Sequence, residues 1–178
     1  MSRPSSFRTP MSRRVALRLA WLADDSFISF RYASNLVHGN GLVYNAGEYV
    51  EGYTNLLWTL LIAGAIALGA SPELSSKALG IGFWLLLVGL LALHRWRQRE
   101  RRPFIPLAAA LVLLMDDSQT WATGGLETSM FTFLSVAGVL LAGEARDDTR
   151  RMVLAGALLA TMSRVQGGWS SSRPLLFR

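Results

Sequence analysis

The chain has no cysteine, which excludes a disulfide scaffold and any thiolate metal site. Lysine is almost missing as well: Lys77 stands alone, and every other basic residue is arginine. Charge of either sign is scarce, at 17% of the residues, against 51% in the hydrophobic class. A water-soluble domain of 178 residues needs more polar surface than that to cover itself. Alternation of apolar and polar residues is also lacking, because the apolar residues fall in blocks, as expected when the solvent is a bilayer. The net charge of +6 comes without any basic and aromatic interleaving, so nucleic acid is not an expected partner.

The blocks cover residues 55–70, 78–93, 104–115, 130–142 and 152–162. A spanning helix takes about 20 apolar residues, so only 78–93 with its flanks is long enough by itself. Taken together the blocks predict an all-α fold, a multispanning membrane helical bundle. Arginine runs orient it: residues 1–18 carry five arginines and no acid, and "RWRQRERR" at 95–102 carries five arginines against Glu100. Such runs mark cytoplasmic loops. With 95–102 inside, "DDSQTWATGGLET" falls outside and "EARDDTRR" inside.

Residues 24–76 hold Asp24, Asp25, Glu48, Glu51 and Glu73 with the single base Arg31, so this acidic stretch is expected as an extracytoplasmic loop. Between it and the basic tail only 15–23 is apolar, about 14 Å as a helix and too short to cross. The expected organisation is a basic tail with a vestigial first helix (1–23), the acidic loop (24–76), a transmembrane region (77–162) and an aberrant tail (163–178). Within the loop, 55–70 must start and end outside, which suggests an interfacial or re-entrant helix pair bent at Gly64 or Gly69. A plain spanning helix is the alternative.

Chemistry concentrates in "DDSFISFRYASNLVHGNGLVYNAGEYVEGYTN". Apolar Phe27, Ile28, Phe30, Ala33, Leu36 and Val37 have helical spacing. An aspartate before such a helix ordinarily caps it. Capping accounts for one acid and not for two. Adjacent carboxylates suit a general base or a cation site. Arg31, seven residues after Asp24, falls on the same helical face about 10 Å away, with room for a phosphate between them. The glycines and asparagines that follow predict ordered turns. His38 reads best as a helix C-terminal residue contacting the last carbonyls, with a metal site of His38, Glu48 and Glu51 as the weaker reading. Tyr44, Tyr49 and Tyr53 suit a membrane interface. "DDSQTWATGGLET" repeats the theme with Asp116, Asp117 and Glu127, and reads plainly as a loop before a capped helix.

This stretch resembles the first extracytoplasmic loop of bacterial C-type glycosyltransferases (the GT-C fold), above all the arabinofuranosyltransferase-like proteins, with their DD-hydrophobic-RYA-N, G-G-V-N-GE and EGYTN elements. "GGLET" resembles a second segment of those proteins, and "SRVQGG" a worn TRPEG element in which Val165 and Gln166 replace the proline and glutamate. The resemblance implies an integral membrane enzyme of bacterial cell-wall biogenesis, multi-pass in the inner membrane. It would transfer a sugar, arabinofuranose being one candidate, from a polyprenyl-phosphate-linked donor to a cell-envelope glycan acceptor. Asp24 or Asp25 would be the catalytic base; Arg31, Tyr32, Glu51, Tyr53, Asn55 and Glu127 would bind substrate. No cofactor is implied beyond a divalent cation, whose ligands are unknown. The likeness covers only an N-terminal part of the family's longer protein, and "SSSRPLLFR" matches nothing in it. A truncated or frameshifted fragment, inactive alone, is therefore expected. The alternative is a small non-enzymatic membrane interaction or assembly protein. A transporter is disfavoured because no acid falls inside 55–70, 78–93, 104–115 or 130–142.

Overall fold

The computed structural model describes residues 21–48, 52, 55–97, 106–144 and 148–163. Among them the chain forms seven α-helices and no strand, as the block pattern predicts. The first, α1 (Ser26–Val37), turns Ser26, Ser29, Phe30 and Ala33 inward, an i, i+3, i+4, i+7 face. It ends at Gly39, whose φ of 82° lets its N–H reach Leu36 O (3.2 Å) while Asn40 N–H reaches Asn35 O (2.9 Å). This paired closure satisfies carbonyls that the helix end would otherwise leave bare.

Residues 55–70 depart from the expected pair. They hold one unbroken helix, α2 (Leu56–Ala67), in which Gly64 causes no interruption. Gly69, at φ 86°, ends it by the same closure, with Gly69 N–H to Ile66 O (2.9 Å) and Ala70 N–H to Ala65 O (3.0 Å). Its 12 residues reach about 18 Å, too short to cross a bilayer alone.

The long helix is α3 (Pro72–Arg97), 26 residues or about 39 Å. Glu73 in its first turn and His94, Arg95 and Arg97 in its last complement the helix dipole. After it come α4 (Leu107–Leu114), α5 (Asp116–Thr123), α6 (Thr128–Glu144) and α7 (Thr149–Ser163). Residues 116–123, expected as loop, are thus helical, with Asp116 and Asp117 in the favoured first turn. Trp84 Nε1–H donates to Ser118 Oγ (2.7 Å), and Gly80 lies against the Ala122 carbonyl, so α5 runs back along α3. Then α5 and α6 meet at 116°. The sharp bend expected near Gly64 and Gly69 is found here instead, at Gly124 and Gly125. From it α6 descends parallel to α3: Phe83 and Phe133 are 5.9 Å apart, and at the far end His94 Nδ1 meets Glu144 Oε1 at 3.3 Å. Between those ends Leu90, Leu93, Ala137, Leu140 and Leu141 line a cavity of about 160 Å³. Finally α7 packs on α6.

The core gathers Phe30, Ala33, Trp58, Ile62, Ala63 and Met130, sealed by Leu79, Phe83 and Leu134. It clamps α1 and α2 onto the upper halves of α3 and α6. Elsewhere large apolar side chains face outward, among them Leu85, Leu86, Leu111, Leu114 and Val139. Among the described residues one helix, α3, can cross a membrane by length and composition, and a second span exists only if bent α5 and α6 count as one. Helix lengths therefore support the all-helical expectation without establishing a multispanning bundle.

Two glycines of α3 should respond oppositely. Gly80→Val drives a side chain into the Ala122 carbonyl and should cost about 1–3 kcal/mol. Gly82→Ala meets nothing within 4 Å and should stabilise by about 0.5–1 kcal/mol. Denaturant unfolding in detergent micelles separates the two.

Candidate active site

At the end of the molecule opposite His94 and Glu144, three chain segments meet. The first is the entrance to α1. Here the capping expectation fails, because Asp25 sits at the N-cap position in a helical conformation and makes no side-chain cap bond. A tight turn does that work. Phe27 N–H donates to Asp24 O (3.1 Å), Ile28 N–H to Asp25 O (3.2 Å), and Ser26 Oγ–H to Ala23 O (2.6 Å). The helix start is satisfied without either carboxylate. Asp24 and Asp25 are exposed, and neither side chain makes a hydrogen bond or ion pair among the described residues.

The second segment is the 124–127 turn. Ala23 N–H donates to Gly124 O (2.9 Å), binding the acidic entrance to it. Both glycines are required. A Cβ on Gly124 would lie 2.6 Å from the Trp21 ring, and Gly125, at φ 83°, backs onto Leu22 and Ser26. Trp58 Nε1–H, fully buried, donates to Gly125 O (3.2 Å) and ties the turn to α2.

The third is Asn55, ahead of α2 and 8% exposed. Its Oδ1 accepts from Thr59 Oγ1 (3.1 Å) and Ser29 Oγ (3.2 Å). Its Nδ2 donates to Ser29 Oγ (2.9 Å) and to Glu127 Oε2 (2.9 Å). Flipping the amide would turn Oδ1 onto the carboxylate, acceptor against acceptor, so the bond to Glu127 fixes its orientation. A shared amide thus joins α1, α2 and the start of α6 in one polar knot. Glu127 is half-buried, held through one oxygen.

The remaining candidates divide. Arg31 is exposed; its Nε–H donates to Tyr44 O (3.1 Å), which steadies the guanidinium and leaves its terminal nitrogens for an anion. Tyr32 is 1% exposed, its hydroxyl accepting from Gly52 N–H (3.0 Å) with Tyr44 5.9 Å away. Expected as a substrate contact, it is buried here, with Gly52 of the following loop bonded to its hydroxyl. Glu51 and Tyr53 lie outside the described residues. His38 is the helix-end residue anticipated, its Nδ1–H donating to Ser34 O (2.7 Å). Glu48 accepts from Asn45 Nδ2 (3.0 Å). Among the described residues no three His, Asp or Glu side chains come together as metal ligands.

Sequence reasoning passed over Ser29, Thr59 and Trp58. The available signal was serine at 26 and 29 on the same helical face as Phe30 and Ala33, since a hydroxyl on a core face needs a buried partner.

Asn55→Ala leaves Ser29 and Glu127 without their partner and should cost about 1–3 kcal/mol. Asn55→Asp should cost more, by setting a second carboxylate against Glu127, and Glu127→Gln should recover part of that loss. Denaturant unfolding of the double-mutant cycle tests the coupling; additive losses would show that Asn55 does not hold Glu127.

No protein-family model matches the chain. No solved structure matches it either. Over 118 residues, 62% of its length, it is 36% identical to a terminal beta-(1->2)-arabinofuranosyltransferase of Mycobacterium tuberculosis. Over 130 residues, 68% of its length, it is 31% identical to a protein of the same name from Corynebacterium glutamicum. The chain spans only 19% and 18% of those two proteins. With a DD entrance, an Asn55 anchor and a GGLET turn folded onto one another, and with these two relatives, the chain belongs to the arabinofuranosyltransferase-like family.

Proposed function

We propose that this chain forms the acidic, outward-facing part of a C-type membrane glycosyltransferase. That enzyme moves a sugar, arabinofuranose by analogy with the relatives' name, from a polyprenyl-phosphate donor to a cell-envelope glycan. One observation carries the reading: two exposed carboxylates, unpartnered among the described residues, stand on an entrance that Ala23 N–H ties to the 124–127 turn, where Glu127 is held by Asn55. In the reaction, one carboxylate of Asp24 and Asp25 accepts the proton of an acceptor hydroxyl. The hydroxyl oxygen bonds to the anomeric carbon as the bond from that carbon to phosphate oxygen breaks, and the lipid phosphate leaves. In this reading Arg31, steadied by its bond to Tyr44 O, receives that phosphate, and Glu127 accepts a hydroxyl of a bound sugar. Glu51 and Tyr53 complete the proposed binding set.

Charge supports a membrane placement. The C-terminal ends of α3 and α6 share the side of the molecule that carries His94, Arg95 and Arg97, and the carboxylate platform lies at the opposite end. With the arginine side in the cytoplasm, the platform faces outward, where lipid-linked sugar and glycan meet.

Asp24→Asn and Asp25→Asn, made separately in the gene with its flanking reading frame, should differ sharply. One should lower lipid-dependent sugar transfer in isolated membranes by at least about 100-fold. Unchanged transfer in both would remove the proposed base. The cysteine-free chain also permits a direct topology test. A cysteine at Asn45 should react with a membrane-impermeant maleimide in intact cells, and one at Gly143 only after permeabilisation. Labelling of both in intact cells would refute the placement.

A further inference from the structure

Among the described residues, some tryptophans have their indole N–H bonded and others do not. Trp58 and Trp84 donate theirs to Gly125 O and Ser118 Oγ. Trp21 and Trp121 make no hydrogen bond through theirs among the described residues, and each ring is 42% exposed. The two rings form a corner, with centroids 6.1 Å apart and planes at 71°. Its position is fixed. Trp21 lies on Gly124, whose carbonyl accepts from Ala23, so the corner and the acid pair share one rigid piece of backbone. Only Leu22 and Ala23 separate Trp21 from Asp24.

Exposed apolar surface is common on this chain, Phe27 and Ile28 included, but at this corner it is two indole rings set edge to face beside the acid pair. A sugar ring has complementary chemistry. Its C–H face packs on an aromatic face, and its hydroxyls around the edge bond to N–H donors and carboxylates. A corner offers one ring beneath the sugar and the other along its side, with indole N–H groups to receive hydroxyls. Two flanks of the acid pair then differ in kind. Arg31, about 10 Å along α1, is the cation suited to the donor's phosphate. On the side before α1, the Trp21 and Trp121 corner is uncharged and aromatic.

We propose that Trp21 and Trp121 form a saccharide subsite that holds a furanosyl residue of the neutral acceptor glycan next to the acid pair. This rests on the sugar-transfer reading and adds to it the place where the acceptor binds. Exposed tryptophans also gather at bilayer headgroups, and that explanation predicts different behaviour.

The test uses the full chain in detergent, titrated with a neutral arabinofuranosyl oligosaccharide while tryptophan emission is followed. Saturable binding is expected, absent with a glucopyranosyl oligosaccharide of equal length. Trp121→Ala should weaken it by about five- to tenfold, and Trp121→Tyr, which keeps an aromatic face and a polar edge, by less. Because Trp121 is half-exposed, both variants should melt with the parent chain, and a matched melt separates lost binding from lost fold. The subsite is overturned if no oligosaccharide binds, or if Trp121→Ala binds as the parent does. It is also overturned if, in vesicles, brominated phospholipid quenches Trp121 and the oligosaccharide gives no protection. Should Trp121→Ala bind normally while an aspartate variant loses transfer, the subsite falls and the transferase reading stands.

Discussion

Everything at the acidic end of this molecule hangs on the side-chain amide of Asn55. In a chain this apolar, few polar groups are available to join elements, and a buried amide whose oxygen and nitrogen are both fully used is correspondingly directional. Apolar packing of Phe30, Trp58, Ile62 and Met130 brings α1, α2 and α6 together. It does not dictate how far each may slide. Hydrogen bonds from one amide to Ser29, Thr59 and Glu127 remove that freedom, because a shift of one residue would strand all three partners. The division of labour is between adhesion by the core and registration by the amide.

Much of this could be read from residues alone, and the limits were physical. The helix at 26–37 was legible because its apolar positions keep a 3.6-residue period, and the long helix because its hydrophobic run is uninterrupted. Helix ends at Gly39 and Gly69 follow from glycine's access to positive φ. What could not be read was where a glycine bends the chain. Gly64 and Gly69 lie in an apolar helix and its ordinary terminus, whereas Gly124 and Gly125 carry the 116° turn because Trp21, Leu22 and Ser26 crowd against them. That crowding comes from a segment a hundred residues away in sequence. Capping failed as an expectation for a similar reason, since the backbone turn at 23–28 made a side-chain acceptor unnecessary.

The candidate site divides along the same line. Asp24, Asp25, Arg31, Asn55 and Glu127 were legible as polar residues out of place in a greasy chain. Their roles were not. Only packing distinguishes exposed Asp24 and Arg31 from the buried Tyr32 beside them. Thr59 was invisible because an isolated hydroxyl is common on helices and only a buried partner distinguishes it. The two relatives match over 118 and 130 residues, under a fifth of each relative's own length.

The bond from Trp84 to Ser118 carries a consequence about depth. Trp84 stands at the midpoint of α3, so the start of α5 lies beside the middle of that helix. If α3 crosses a bilayer, exposed Asp116 and Asp117 lie level with the hydrocarbon centre and far from either headgroup layer. Carboxylates at that level do not face acyl chains; they border water or other protein. The flank of α4 and α5 that carries them, with Leu111 and Leu114 exposed on α4, is then not uniformly suited to lipid.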